Sequence, residues 1–67
     1  MAMTLKAART NAGLNQKQAA ERIGVSVSTI HKWENGKVFP TAKQIPKITS
    51  AYHCSYDDII FSPAITL

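Results

Sequence analysis

Two charged residues stand where the local pattern calls for apolar ones. In "LKAARTNAGL" the residues Leu5, Ala8 and Ala12 recur at i, i+3 and i+7, which is one face of a helix, and Arg9 falls on that face. In "RIGVSVSTIHKWENGK" Glu34 lies four residues after Ile30 and beside Trp33, so a carboxylate shares a helical face with two apolar side chains. A guanidinium facing a carboxylate forms two parallel hydrogen bonds, whereas either charge buried alone is strongly destabilising. The two misfits together predict an Arg9–Glu34 ion pair that braces one helix against another. The competing arrangement, each side chain reaching back to solvent, is the usual fate of a single Arg or Glu.

The same segment offers different chemistry on its other side. With Ile30 turned inward, Ser28, Lys32 and Asn35 fall opposite, His31 and Thr29 flank them, and Val27 sits at the exposed N-terminal end. A small, polar, cationic face of this kind suits the major groove of double-stranded DNA, where short side chains let a helix axis approach the base edges. Val27 can meet a thymine methyl, Ser28 can bond several bases, Lys32 can reach guanine acceptors, and His31 is a further candidate on that side. Around them lie candidate phosphate contacts: Asn15, Gln16 and Lys17 at a helix start, Ser26 and Thr29 at the next, and Asn35 with Lys37 in the loop that follows. A solvated helix face is the bland alternative, and the tight turn before this helix argues against it.

Other chemistries find little support. Cys54 is the one cysteine, which excludes an internal disulfide and a cysteine-based zinc site and fits a reducing cytoplasm. Asp57 and Asp58 sit at a capping position, and no Ser, His and Asp set converges, so an enzyme is not expected. Neither cofactor, metal nor small-molecule ligand is expected. No stretch approaches the ~20 apolar residues of a membrane span, and the N-terminus lacks the apolar run of a signal peptide.

The chain has 67 residues, 45% hydrophobic and 18% charged, enough for one small domain spanning 1–67 with a thin margin of stability. Its formal net charge is +4, and all eight Lys and Arg residues lie between Lys6 and Lys47, while "YDDII" near the C-terminus is acidic. Basic charge concentrated this way points to a polyanionic partner.

The elements that must position these residues read as short helices. A first helix ends at Gly13, which offers a left-handed stop. Asn15 can cap a second, "QKQAAERI", with Ala19, Ala20 and Ile23 inward and Gln16, Lys17, Glu21 and Arg22 toward solvent. Gly24 ends it, Ser26 caps the third, "VSTIHKWEN", and Gly36 closes that one. Two short helices joined by so tight a turn, with paired small residues between them, form a helix-turn-helix over residues 16–35. A fourth helix starts between Thr41 and Gln44, with Pro46 favouring the later start, and buries Ile45, Ile48, Ala51 and Tyr52. Ser55 and Asp58 are spaced as a capping box, which predicts a fifth helix over "YDDIIF" that Pro63 closes, and residues 62–67 form an apolar tail.

The chain resembles the Cro and repressor, Xre-like, helix-turn-helix domains over Leu5 to Phe61, most specifically in "GLNQKQAAERIGVSVSTIHKWENGK". The resemblance implies an all-α, five-helix, lambda-repressor-like domain that binds operator DNA, usually as a homodimer, with the third helix in the major groove. It further implies phosphate contacts from Gln16 and Asn35, base reading by Val27, Ser28 and Lys32, and a buried Arg9–Glu34 bridge. Val27 departs from the long polar residue common there, and His53 stands in the place of a helix-ending glycine, which a left-handed histidine can replace at modest cost. Cys54 stands where the family has a small apolar residue and is read as core.

The leading expectation is therefore a small Cro-like repressor from a prophage, regulated by concentration and by dimerisation on half-sites about one helical turn apart. The alternative is an antitoxin or anti-repressor of the same fold, docking another protein through the fifth helix and tail. The fifth helix with the tail, and the loop around Phe39, are the two candidate dimer surfaces.

Overall fold

The structure is a computed structural model and describes residues 2–60. It consists of a short strand β1 (Met3–Thr4), four helices, α1 (Leu5–Asn11), α2 (Gln16–Ile23), α3 (Val27–Glu34) and α4 (Ile45–Tyr52), a single 3-10 turn (Tyr56–Asp58) and a second short strand β2 (Ile59–Ile60). Thr4 caps α1 by accepting a hydrogen bond from the Ala7 N–H at 3.1 Å. Asn15 and Gln18 form a reciprocal capping box on α2, the side-chain oxygen of each accepting from the backbone N–H of the other at 2.7 and 2.9 Å. Ser26 caps α3, its hydroxyl accepting from the Thr29 N–H at 3.1 Å.

Local chemistry also ends these helices. Gly24 takes φ 89° after α2, and the N–H groups of Gly24 and Val25 both return to the Ala20 carbonyl. A Cβ added at Gly24 would meet nothing within 4 Å, so the glycine is required by its left-handed backbone rather than by crowding. His53 plays the same part after α4, with φ 54° and ψ 45°, its N–H bonding to the Ser50 carbonyl and that of Cys54 to the Thr49 carbonyl.

α4 begins at Ile45, the later of the expected starts. Gln44 is its N-cap residue and Pro46 occupies the first turn, where its missing N–H has no carbonyl to bond. The Gln44 side chain instead reaches back to the Thr41 N–H at 2.8 Å, so Thr41–Gln44 is a turn leading into the helix.

The fifth helix expected over "YDDIIF" does not form among the described residues, so the fold keeps its predominantly helical class with four helices, and the five-helix count is corrected accordingly. The Ser55–Asp58 capping box is present, but it closes one 3-10 turn. Ile59 and Ile60 then extend and pair in parallel with Met3 and Thr4, Met3 opposite Ile59 and Thr4 opposite Ile60. Two consecutive β-branched residues favour extended backbone, and β1 supplies a strand edge that a helix would leave unpaired. Ile59 turns into the core while Ile60 faces solvent, the alternation of a strand. Phe61, Pro63 and the tail 62–67 lie outside the described residues.

The core runs through the helices from Leu5 and Ala8 of α1, through Ala19, Ala20 and Ile23 of α2 and Ile30 and Trp33 of α3, to Ile48 and Tyr52 of α4, with Ile59 at its edge. Ala19 and Ala20 let α2 and α3 pack closely. The result holds α3 against the body of the molecule by one face and leaves the other to solvent.

Candidate nucleic-acid interface

The interface is built on a brace beneath α3. Arg9 Nε donates to Glu34 Oε2 at 2.6 Å and Arg9 Nη2 to Glu34 Oε1 at 3.3 Å, a forked arrangement between α1 and the last residue of α3. The side chains are 10% and 6% exposed, so water does little to screen the pair. Arg9 Nη1 donates to the Leu14 carbonyl at 2.9 Å, and Gln16 Nε2 donates to Glu34 Oε1 at 3.1 Å. Two elements, α1 and the start of α2, thus converge on one carboxylate of α3, while the α1–α2 loop holds the guanidinium through the Leu14 carbonyl. The hydrogen bond to Glu34 raises the Arg9 pKa above its ordinary value despite the opposing effect of burial, so this cation keeps its charge throughout the working pH range.

Gln16 is half-buried by this contact, unlike the solvent-facing glutamine expected, although Lys17, Glu21 and Arg22 are exposed. Its amide carries a second N–H beyond the one given to Glu34. The backbone N–H groups of Gln16 and Lys17, in the first turn of α2, have no carbonyl to bond within the helix. Asn15 spends its side-chain oxygen on the cap. The start of α2 therefore presents donors, Gln16 and Lys17 among them, with Gln16 tied directly to α3.

On α3 itself Val27 (43% exposed), Ser28, His31 and Lys32 are all exposed. The structure brings these four side chains onto the solvent side of one helix. Ser26 and Thr29 are engaged with each other, their hydroxyls 2.9 Å apart at the helix start. At the other end Asn35 Nδ2 lies 2.9 Å from His31 Nε2; with the amide as donor, the ring proton sits on Nδ1. His31 and Asn35, assigned by sequence to base and phosphate contacts respectively, are thus one hydrogen-bonded unit. Lys37 is exposed just beyond, its N–H closing on the Lys32 carbonyl at 3.0 Å.

Several positioning residues carry no strong sequence signal. The Leu14 carbonyl that receives Arg9 is a backbone group, invisible to residue type. Gln18 was legible in principle, because Asn15 and Gln18 have capping-box spacing.

A helix-turn-helix family model matches residues 5–59, the span of all four helices. The chain belongs to the helix-turn-helix family. Within it the match is to domains of the Xre and Cro type. Among curated proteins the chain is similar to the HTH-type transcriptional activator BcrR of Enterococcus faecalis, 34% identical over 56 residues. That stretch is 84% of this chain and 28% of the relative, so the chain spans well under half of the relative's length. No solved structure gives a significant match.

Three ionisable groups outside α3 of this helix-turn-helix domain are also shifted. Burial pushes the Tyr52 phenol up to about 12, with the nearby Glu34 carboxylate acting in the same direction. Burial also raises the Cys54 thiol, which is half-buried against the core and thereby kept in its unreactive protonated form. The Ser55 backbone N–H and hydroxyl, both bonded to Asp58 Oδ2, lower the Asp58 carboxyl. Among the described residues no group of His, Cys, Asp and Glu is arranged to hold a metal ion, and no helix is long and apolar enough to cross a membrane.

Proposed function

We propose that this domain is a sequence-specific, double-stranded DNA-binding transcriptional regulator that inserts α3 into the major groove of an operator. The observation that carries the reading is the pairing of an exposed, small and cationic face on α3 with an underside braced by the Arg9–Glu34 ion pair and the buried Ile30 and Trp33. Val27, Ser28, His31 and Lys32 read base edges in this proposal. Asn15, Gln16, Lys17, Ser26, Thr29, Asn35 and Lys37 frame them against the flanking phosphates, with Gln16 linking a phosphate to Glu34 and hence to α3. The net charge of +4 supports a polyanionic partner.

The regulator acts as a homodimer on paired half-sites about one helical turn apart, and by occupancy, as a Cro-like repressor does. The similar Enterococcus protein is called an activator, and a reporter fused to the operator decides between the two directions. The chain is not an enzyme in this reading.

The experiment is selection of bound sites from a random duplex library at about physiological ionic strength, where screening suppresses loose charge attraction. An enriched inverted repeat is expected. A folded protein that enriches no sequence would overturn the proposal and direct attention to a protein partner of the antitoxin or anti-repressor kind.

A further inference from the structure

The loop between α3 and α4 holds an apolar pair in the open. Val38 is 45% exposed and Phe39 57%, the latter among the most exposed large apolar side chains described. The loop is nevertheless pinned on both sides of them. The Lys37 N–H is bonded to the end of α3, Pro40 is buried, and the Thr41 N–H is held by Gln44. Phe39 is thus presented by a fixed backbone rather than folded inward.

Charge decides what such a surface can meet. Lys37 and Lys43 flank the pair, both exposed, and no acidic residue occurs between Glu34 and Asp57. A second copy docking through the same loop would oppose like charges, whereas a polyanion with an apolar surface would satisfy both chemistries. Duplex DNA has that combination where the deoxyribose rings line the minor groove beside the phosphates. Two extended residues span at most ~7 Å, so a loop whose Lys37 touches a phosphate brings Phe39 within reach of the adjoining sugars.

We propose that Phe39, assisted by Val38, packs against deoxyribose at the minor-groove edge of the backbone strand contacted by Asn35 and Lys37. This extends the footprint from the major groove, read by α3, across the phosphates to their far side. The proposal rests on the DNA-binding reading above. It assigns the Phe39 loop to DNA rather than to a dimer contact.

Hydroxyl-radical footprinting on the selected operator tests it, because the radical attacks deoxyribose hydrogens that line the minor groove. Phe39→Ser is expected to lose protection at the sugars beside the Lys37 phosphate while keeping the rest of the footprint, and to weaken binding about tenfold. Phe39→Leu, which keeps an apolar side chain, is expected to retain that protection. Lys37→Ala is expected to flatten the salt dependence while leaving the sugars covered. An unchanged footprint in Phe39→Ser overturns the proposal, as does a shift of that variant toward monomer in sedimentation without DNA. Failure of the wild-type protein to footprint any duplex is a different result, since it removes the DNA-binding reading itself. Because Phe39 is exposed, the melting temperature of Phe39→Ser should match the wild type, which keeps folding out of the comparison.

Discussion

Ile30 and Lys32 are two residues apart on one eight-residue helix and live in opposite worlds. Ile30 is fully buried and Lys32 is exposed. Everything on the inward side of α3, Ile30, Trp33 and the Glu34 carboxylate, is committed to holding the helix in place. The outward side carries only local side-chain contacts among the described residues, the Ser26–Thr29 pair at its start and the His31–Asn35 bond at its end. A helix that reads DNA must be rigid in position and bare on its surface, and splitting the two tasks between faces allows both. Inward substitutions should therefore change stability with little change in sequence preference, and outward ones the reverse.

The largest effect expected is from Ile30→Ala. Truncating a fully buried isoleucine loses its transfer free energy and leaves a cavity, about 4 kcal/mol together, which denaturant titration should reveal as near-complete loss of the folded state in so small a domain. Glu34→Ala comes next, at about 3 kcal/mol, because it orphans a buried guanidinium. A double-mutant cycle with Arg9→Ala should return a coupling well above the few tenths typical of exposed pairs. Additive effects in that cycle would mean that the brace does not hold α3.

On the outward side, Lys32→Ala should leave the melting temperature unchanged and relax base preference at one position by about 1 to 3 kcal/mol, measured by competition among operator variants. Gln16→Ala touches both sides. It should weaken binding to all sequences and also lower stability slightly, since its amide bonds Glu34. Equal loss of discrimination from Lys32→Ala and Gln16→Ala would dissolve the distinction between reading and anchoring residues.

Two smaller effects sharpen the inward picture. The Tyr52 phenol is raised from 10.0 to about 12, so the folded state holds this proton more tightly than the unfolded chain. Its contribution is complete below pH 10 and disappears as pH rises through about 12, which tyrosinate absorbance in Tyr56→Phe, leaving Tyr52 as the single tyrosine, should follow. His53→Gly should raise stability by about 1 kcal/mol, because glycine takes the left-handed cap without strain. No gain in thermal melting would mean that the histidine ring makes a compensating contact.

Short-range chemistry was legible wherever it is self-contained. Asn15 and Ser26 announce the starts of α2 and α3, Gly24 and Gly36 their ends, and the 3.6-residue spacing of Ala20, Ile23, Ile30 and Trp33 their inward faces. The helix-turn-helix follows from these because each signal concerns residues within one or two turns of each other. At Ser55–Asp58 the same kind of reasoning found the cap and then overran it. A capping box marks where a turn begins and says nothing about how far it propagates, and Ile59 and Ile60 were claimed by β1, more than fifty positions away in sequence.

The sequence by itself determined where the chain turns, which helix faces are apolar, and that two opposite charges stood in apolar company, since those are properties of residue order and backbone preference. Only the tertiary structure decided that Glu34 gathers Gln16 as well as the expected Arg9, that Leu14 lends a carbonyl, and that the two ends of the described chain pair as strands. Those contacts join residues 18 or more positions apart, or use backbone groups that every residue possesses. Their partners are selected by how whole helices pack, a quantity that no local pattern records.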